Sequence, residues 1–144
     1  MITNEFQYRN TKSILNDFQD TLDELEGTAS RATKPKLRAI EIAAVRSQME
    51  SLSEELADYE TLRTGNVKTL FSSSVLGLAD LLVRARIVRG WTQAQLAEAL
   101  GIAVQQVQRY ESTGYVSASL SRINDVAQAL DIEVSETAHL KQTA

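Results

Sequence analysis

Twenty residues, Thr92–Glu111, read TQAQLAEALGIAVQQVQRYE and constrain the fold more tightly than any other stretch of the chain. Thr92 suits the cap of a helix, and Gln95 three residues on completes a capping box. Leu96, Ala97 and Leu100 then recur at the spacing of one helical face. Ala97 is small, as two steeply crossing helices require at their closest approach. Gly101 supplies the left-handed residue that commonly ends a helix. Ile102 closes the corner, and Val107 and Tyr110 anchor the helix that follows. The unit predicted is two short helices joined by a glycine turn.

Around this block the chain reads as helical throughout, an all-α fold. Short helices are expected at 73–88, 92–99, 103–111 and 119–130, with Gly90 and Gly101 marking breaks. The end, Asp131–Val134, reads as a short strand or an irregular tail. Upstream the pattern changes to long helices. Residues 3–26 open on Thr3 or Asn4 as N-cap and stop at Gly27. Their apolar side carries Tyr8, Ile14, Leu15, Phe18, Leu22 and Leu25. A second helix over 35–63 starts at Pro35, which suits a first turn, and ends before Gly65. Its Ile42, Val45, Met49, Leu52, Leu56 and Tyr59 alternate by three and four, as a coiled-coil seam does. An eight-residue connection, Gly27–Lys34, predicts an N-terminal antiparallel helical hairpin within 1–65. The C-terminal domain is expected over 73–134, beyond a short linker. Two helices alone leave half their apolar surface wet. The hairpin is therefore expected to serve oligomerisation or partner binding, in a homodimer or higher homo-oligomer, or else to pack on its own C-terminal domain.

Charge narrows the partners. The net charge is −4, with nine Lys/Arg against twelve Asp/Glu in residues 1–71 and six against seven in 72–144. Any affinity of the C-terminal half for phosphate must come from a few well-placed arginines, with weak nonspecific binding as the corollary. With no cysteine there is no disulfide framework and no thiolate metal site. No apolar run approaches the length of a membrane span. Met1–Glu5 has neither the basic region nor the apolar core of a signal peptide, so a cytoplasmic address is the expectation. His139 is the only histidine and has no metal-ligand companions at useful spacing. The carboxylates of 17–26 and 50–60 fall on helical faces as solvation, not as a paired acid and base. No glycine-rich phosphate loop occurs. These features offer no basis for an enzyme, a cofactor or a metal site.

Helix, glycine turn and helix is the geometry that places a recognition helix in the major groove of DNA. Residues 76–130 resemble the Xre family of lambda-repressor-like regulators. Thr92-Gln93, Leu96-Ala97, Gly101, Val107, Arg109 and Glu111 stand where that family's motif has them. The resemblance implies a lambda-repressor-like domain of four to five helices. It also implies a sequence-specific transcriptional regulator, a repressor, whose partner is double-stranded DNA bearing an inverted-repeat operator.

The roles it implies run position by position. Thr92 and Gln93, at the start of the first motif helix, would contact phosphate, with Gln93 also bracing the reading residues. Gln105, Gln108 and Arg109 would read base edges, glutamine suiting adenine and arginine guanine. Gln106 would add a phosphate or base contact. Ser112, Thr113 and Tyr115, with Ser117 and Ser119, would bind backbone phosphate. Arg86 and Glu111 fall where similar repressors form a structural ion pair.

This chain departs from the pattern at Val104, where a polar reader is common, so that Val104 would touch a thymine methyl or merely pack. Ala103 is a poor N-cap. Trp91 reads as a hydrophobic plug. Arg84 and Arg89 read either as a solvated face or as phosphate contacts. A narrower resemblance, to HigA-type antitoxins of toxin–antitoxin pairs, implies autoregulation and a cognate basic toxin protein as a partner. The competing reading is a protein-interaction module in which the hairpin binds a partner and the C-terminal domain is only a scaffold.

Overall fold

The computed structural model describes residues 1–27, 34–137, 139 and 140. It contains six α-helices and, among the described residues, no strand. The chain divides into two compact units, Met1–Thr69 and Leu70–Ala144.

The first unit is built from α1 (Glu5–Glu26) and α2 (Pro35–Arg63), which pack on each other. Asn4 is the residue that caps α1, its side chain accepting from the Gln7 amide at 2.9 Å. The pairing is antiparallel. Arg63 reaches Glu5 at 3.0 Å at one end, and Arg46 reaches Glu26 at 2.6 Å toward the other. At the first end Tyr8 and Tyr59 lie 5.3 Å apart between ring centroids, and the Tyr8 hydroxyl donates to Glu60. The Arg63 guanidinium lies over both rings, at 5.6 and 5.8 Å. Leu22, Leu56, Tyr59 and Leu62 are buried, with Ile2 beneath an N-terminus tied to Glu55. The connection expected at 27–34 lies outside the described residues over 28–33.

The second unit holds a 3-10 turn (Val75–Gly77), α3 (Leu78–Val88), α4 (Gln93–Leu100), α5 (Val104–Ser112) and α6 (Leu120–Ala129). Each helix sends at least one side chain into a common core. Leu82, Leu96, Val107 and Val126 are all at most 1% exposed, and Leu130 joins them just past α6. Fully burying such a side chain contributes about 1.5–3 kcal/mol. α4 packs against both α5 and α6, and α3 reaches α5.

One sequence expectation is corrected here, and one left open between two readings is decided. The helix expected from 73 begins only at Leu78. The Ser72–Ser74 run diverts the backbone: Ser72 Oγ donates to the Ser74 carbonyl and accepts from the Ser74 amide. Short hydroxyl side chains offer the main chain such an alternative to the helix. Gly77 completes the turn, because a Cβ there would stand 1.8 Å from Ser72 Oγ. The tail after Leu130 is irregular and forms no strand over 131–134. It is held instead by Arg89, which donates to the carbonyls of Leu130 and Asp131.

Candidate nucleic-acid interface

The interface begins with the turn between α4 and α5. The Thr92 hydroxyl accepts from the Gln95 amide at 3.2 Å, and Gln95 Oε1 accepts from the Thr92 amide at 2.8 Å. This reciprocal pair satisfies two of the amides that a helix start leaves open. At the other end Gly101 takes φ 64°, a left-handed conformation that costs glycine little, and its amide returns to the carbonyl of Glu98. The Ile102 amide bonds the Ala97 carbonyl. The chain is thereby turned within three residues from α4 into α5. Ala103 offers no side-chain cap to α5. The entry of α5 is fixed by the turn, not by a cap.

α5 has two faces of opposite character. Val107 is 1% exposed and Glu111 8%, while Gln105, Gln108, Arg109 and Ser112 are exposed. Positions 105, 108, 109 and 112 follow the i, i+3, i+4, i+7 spacing of one helical stripe. Val104 and Gln106 are half-buried at the edges. Ser112 proves to be the last residue of α5 instead of a loop residue, which brings it onto the same stripe as Arg109.

Beneath this stripe a charged network locks α5 to α3. Arg86 donates from Nε to Glu111 Oε1 at 2.6 Å and from Nη2 to Glu111 Oε2 at 2.7 Å. The two side chains are 3% and 1% exposed. A third Arg86 nitrogen, Nη1, donates to the Trp91 carbonyl at 2.7 Å, and Gln93 Nε2 donates to Glu111 Oε2 at 2.8 Å. Bidentate guanidinium–carboxylate pairs of this kind are strong and fixed in orientation. Gln93 therefore stands at the start of α4, half-buried, with its amide nitrogen holding Glu111 from above.

Not every expected contact residue is presented to a ligand. Tyr115 is corrected: it is 3% exposed, its ring stacks on Tyr110 at 5.6 Å, and its amide bonds the Tyr110 carbonyl at 2.7 Å. It adopts φ 58° just after Gly114 at φ 61°, so two left-handed residues in succession fold its ring inward under the end of α5. Burial, with the Glu111 carboxylate adding to it, pushes the Tyr115 phenol well above its usual range. Ser119 is likewise occupied, accepting from the Arg122 amide at 3.1 Å as the cap of α6. Thr113 and Ser112 are exposed, and their hydroxyls donate back to the Arg109 carbonyl at 2.7 and 3.1 Å, which leaves oxygen lone pairs outward. Arg89, open to two readings in the sequence, is a clamp on the α6 terminus. Its positive charge also suits the carbonyl-rich end of a helix.

The contacts missed in the sequence are those made by main chain. Nothing in residue types announces that the Trp91 carbonyl accepts from Arg86, or that the Leu130 carbonyl accepts from Arg89. Stacking of Tyr110 on Tyr115 had a signal in the five-residue spacing across Gly114, a residue type that permits the chain to double back.

Two short helices joined through a left-handed glycine, with the second held by its inner face and bare on its outer one, define a helix-turn-helix domain. Residues 82–136 match the family model described as Helix-turn-helix, the Xre and lambda-repressor-like kind of domain, which supports a DNA-binding transcription regulator. No curated protein and no solved structure matches the chain. No helix among the described residues is long and apolar enough to cross a membrane.

Proposed function

We propose that the chain is a sequence-specific transcriptional regulator, a repressor, whose α5 lies in the major groove of an operator. The observation that carries this reading is the stripe Gln105, Gln108, Arg109 and Ser112. Its three long polar side chains are exposed on a helix whose opposite face is fully used for packing. Gln105 and Gln108 have the donor–acceptor pair that matches adenine, and Arg109 the fork that matches guanine. Ser112, Thr113 and the start of α4 at Thr92 and Gln93 supply phosphate contacts that set register without reading sequence. Val104 and Gln106, at the edges, meet the groove wall.

A pair of domains on an inverted repeat would place half-site centres on the order of 34 Å apart, or a multiple of it. The α1–α2 pair is the element that would join two copies. In the narrower form of this reading the chain is an autoregulating antitoxin. The twelve acidic against nine basic residues of its first half would then face a basic toxin, and co-expression with a toxic, basic neighbouring reading frame tests that form.

The deciding experiment titrates the protein against a labelled duplex of its own upstream region at two salt concentrations, with Arg109→Ala beside it. Binding to one fragment over random DNA, weakened about tenfold or more in the variant, is the expected result. The salt slope should be shallow, because few cations face the duplex. Equal binding of all fragments, or full activity after Gln105→Ala and Arg109→Ala, would overturn this reading in favour of a scaffold whose α1–α2 pair binds the partner.

A further inference from the structure

A concavity lies in the C-terminal unit, lined by the start of α3, the residues before it and the tail after α6, and the helix-turn-helix function does not account for it. It measures about 170 Å³. Leu78, Leu81 and Ala85 of α3 and Ile132 of the tail give it a partly apolar lining, with Ser72 and Ser135 among its polar residues. The titratable side chains that line it are Glu133 and Glu136, both exposed carboxylates of the tail. An apolar cavity of about 150 Å³ is large enough to take up benzene. The space therefore suits one ring or a short alkyl group. The carboxylates favour a cation at its mouth and disfavour an anion.

We infer that this pocket is a binding site for a small apolar monoamine, its hydrocarbon part on Leu78, Leu81 and Ala85 and its ammonium group toward Glu133 and Glu136. The apolar part supplies most of the affinity, since exposed ion pairs are weak. The carboxylates supply the preference for positive charge.

Benzylamine, benzyl alcohol and benzoate share a ring and differ in charge, so they separate these contributions. Each is titrated into the full-length protein while backbone amide NMR shifts are followed. Shifts confined to residues 70–72, 78–85 and 132–136 locate the site. The expected order is amine over alcohol by about fivefold, the size of a modest surface ion pair, with benzoate weakest. Glu133→Gln with Glu136→Gln should bring the amine down to the level of the alcohol. Both residues are exposed, so folding is not at risk. Ala85→Leu, which fills the floor, should abolish binding of amine and alcohol alike in a variant whose spectrum is otherwise native. Scattered or absent shifts, benzoate binding as well as the amine, or a preference for the amine that survives the double substitution would each overturn the assignment.

Discussion

Replacing Glu111 by leucine tests the network under α5 most directly. The substitution leaves the Arg86 guanidinium in a site where its side chain is 3% exposed, without the two bonds of 2.6 and 2.7 Å that compensate its charge. Gln93 loses its acceptor as well. Orphaning one member of a buried ion pair costs about 3–5 kcal/mol, a large share of the stability of a domain this small. The double variant Arg86→Met, Glu111→Leu removes both charges and should recover much of that loss. It does not recover all of it, because the Trp91 carbonyl loses its donor from Arg86. An unmet part-buried carbonyl costs about 1–3 kcal/mol, so the double variant should sit about 1–3 kcal/mol below wild type. The assay is urea unfolding followed by the fluorescence of Trp91, the chain's only tryptophan, which lies beside the network. A single variant costing less than about 1 kcal/mol, or a double variant costing the sum of both singles, would refute the view that charge compensation holds α5.

Three further perturbations follow from local geometry. Gly77→Ala should destabilise the C-terminal unit, since its Cβ would stand 1.8 Å from Ser72 Oγ; combining it with Ser72→Gly should restore part of the loss, measured by the same unfolding curves. Thr92→Ala removes the capping-box hydroxyl and should cost about 1 kcal/mol, read as a lowered urea midpoint with an unchanged slope. The raised Tyr115 phenol makes folding sensitive to alkali. Its contribution is intact below the ordinary value of 10.0 and is lost as pH rises from there through the higher folded-state value, because the unfolded chain gives up that proton first. Tyr115→Phe should flatten this decline in thermal scans between neutral and strongly alkaline pH, and an unchanged decline would exclude Tyr115 as its source.

Local chemistry was legible in the sequence wherever a residue type has one main structural use. Thr92 with Gln95 announced a capping box, Gly101 a left-handed stop and Pro35 a helix start, and each performs that part. The all-α class and the helix-turn-helix followed from these short-range rules. What escaped was set by contacts across the fold. A serine at 119 reads equally as phosphate contact or helix cap, and only the position of α6 decides. Tyr115 is polar at one atom and apolar at the rest, so its inward turn depended on Gly114 and on a core that sequence spacing does not display. The late start of α3 came from competition between serine hydroxyls and the helix for the same backbone groups.

The Arg86–Glu111 pair also limits how far this motif is portable. Residues 92–112 look self-sufficient as a segment, yet the carboxylate at their end is answered by an arginine from another helix. A grafted copy of α4 and α5 on a foreign scaffold would carry a buried negative charge with no counter-ion. Designers moving α5 must therefore either bring α3 with it or recode Glu111 and Gln93 together as an apolar pair. Without that recoding, the smallest transferable piece is three helices, not two.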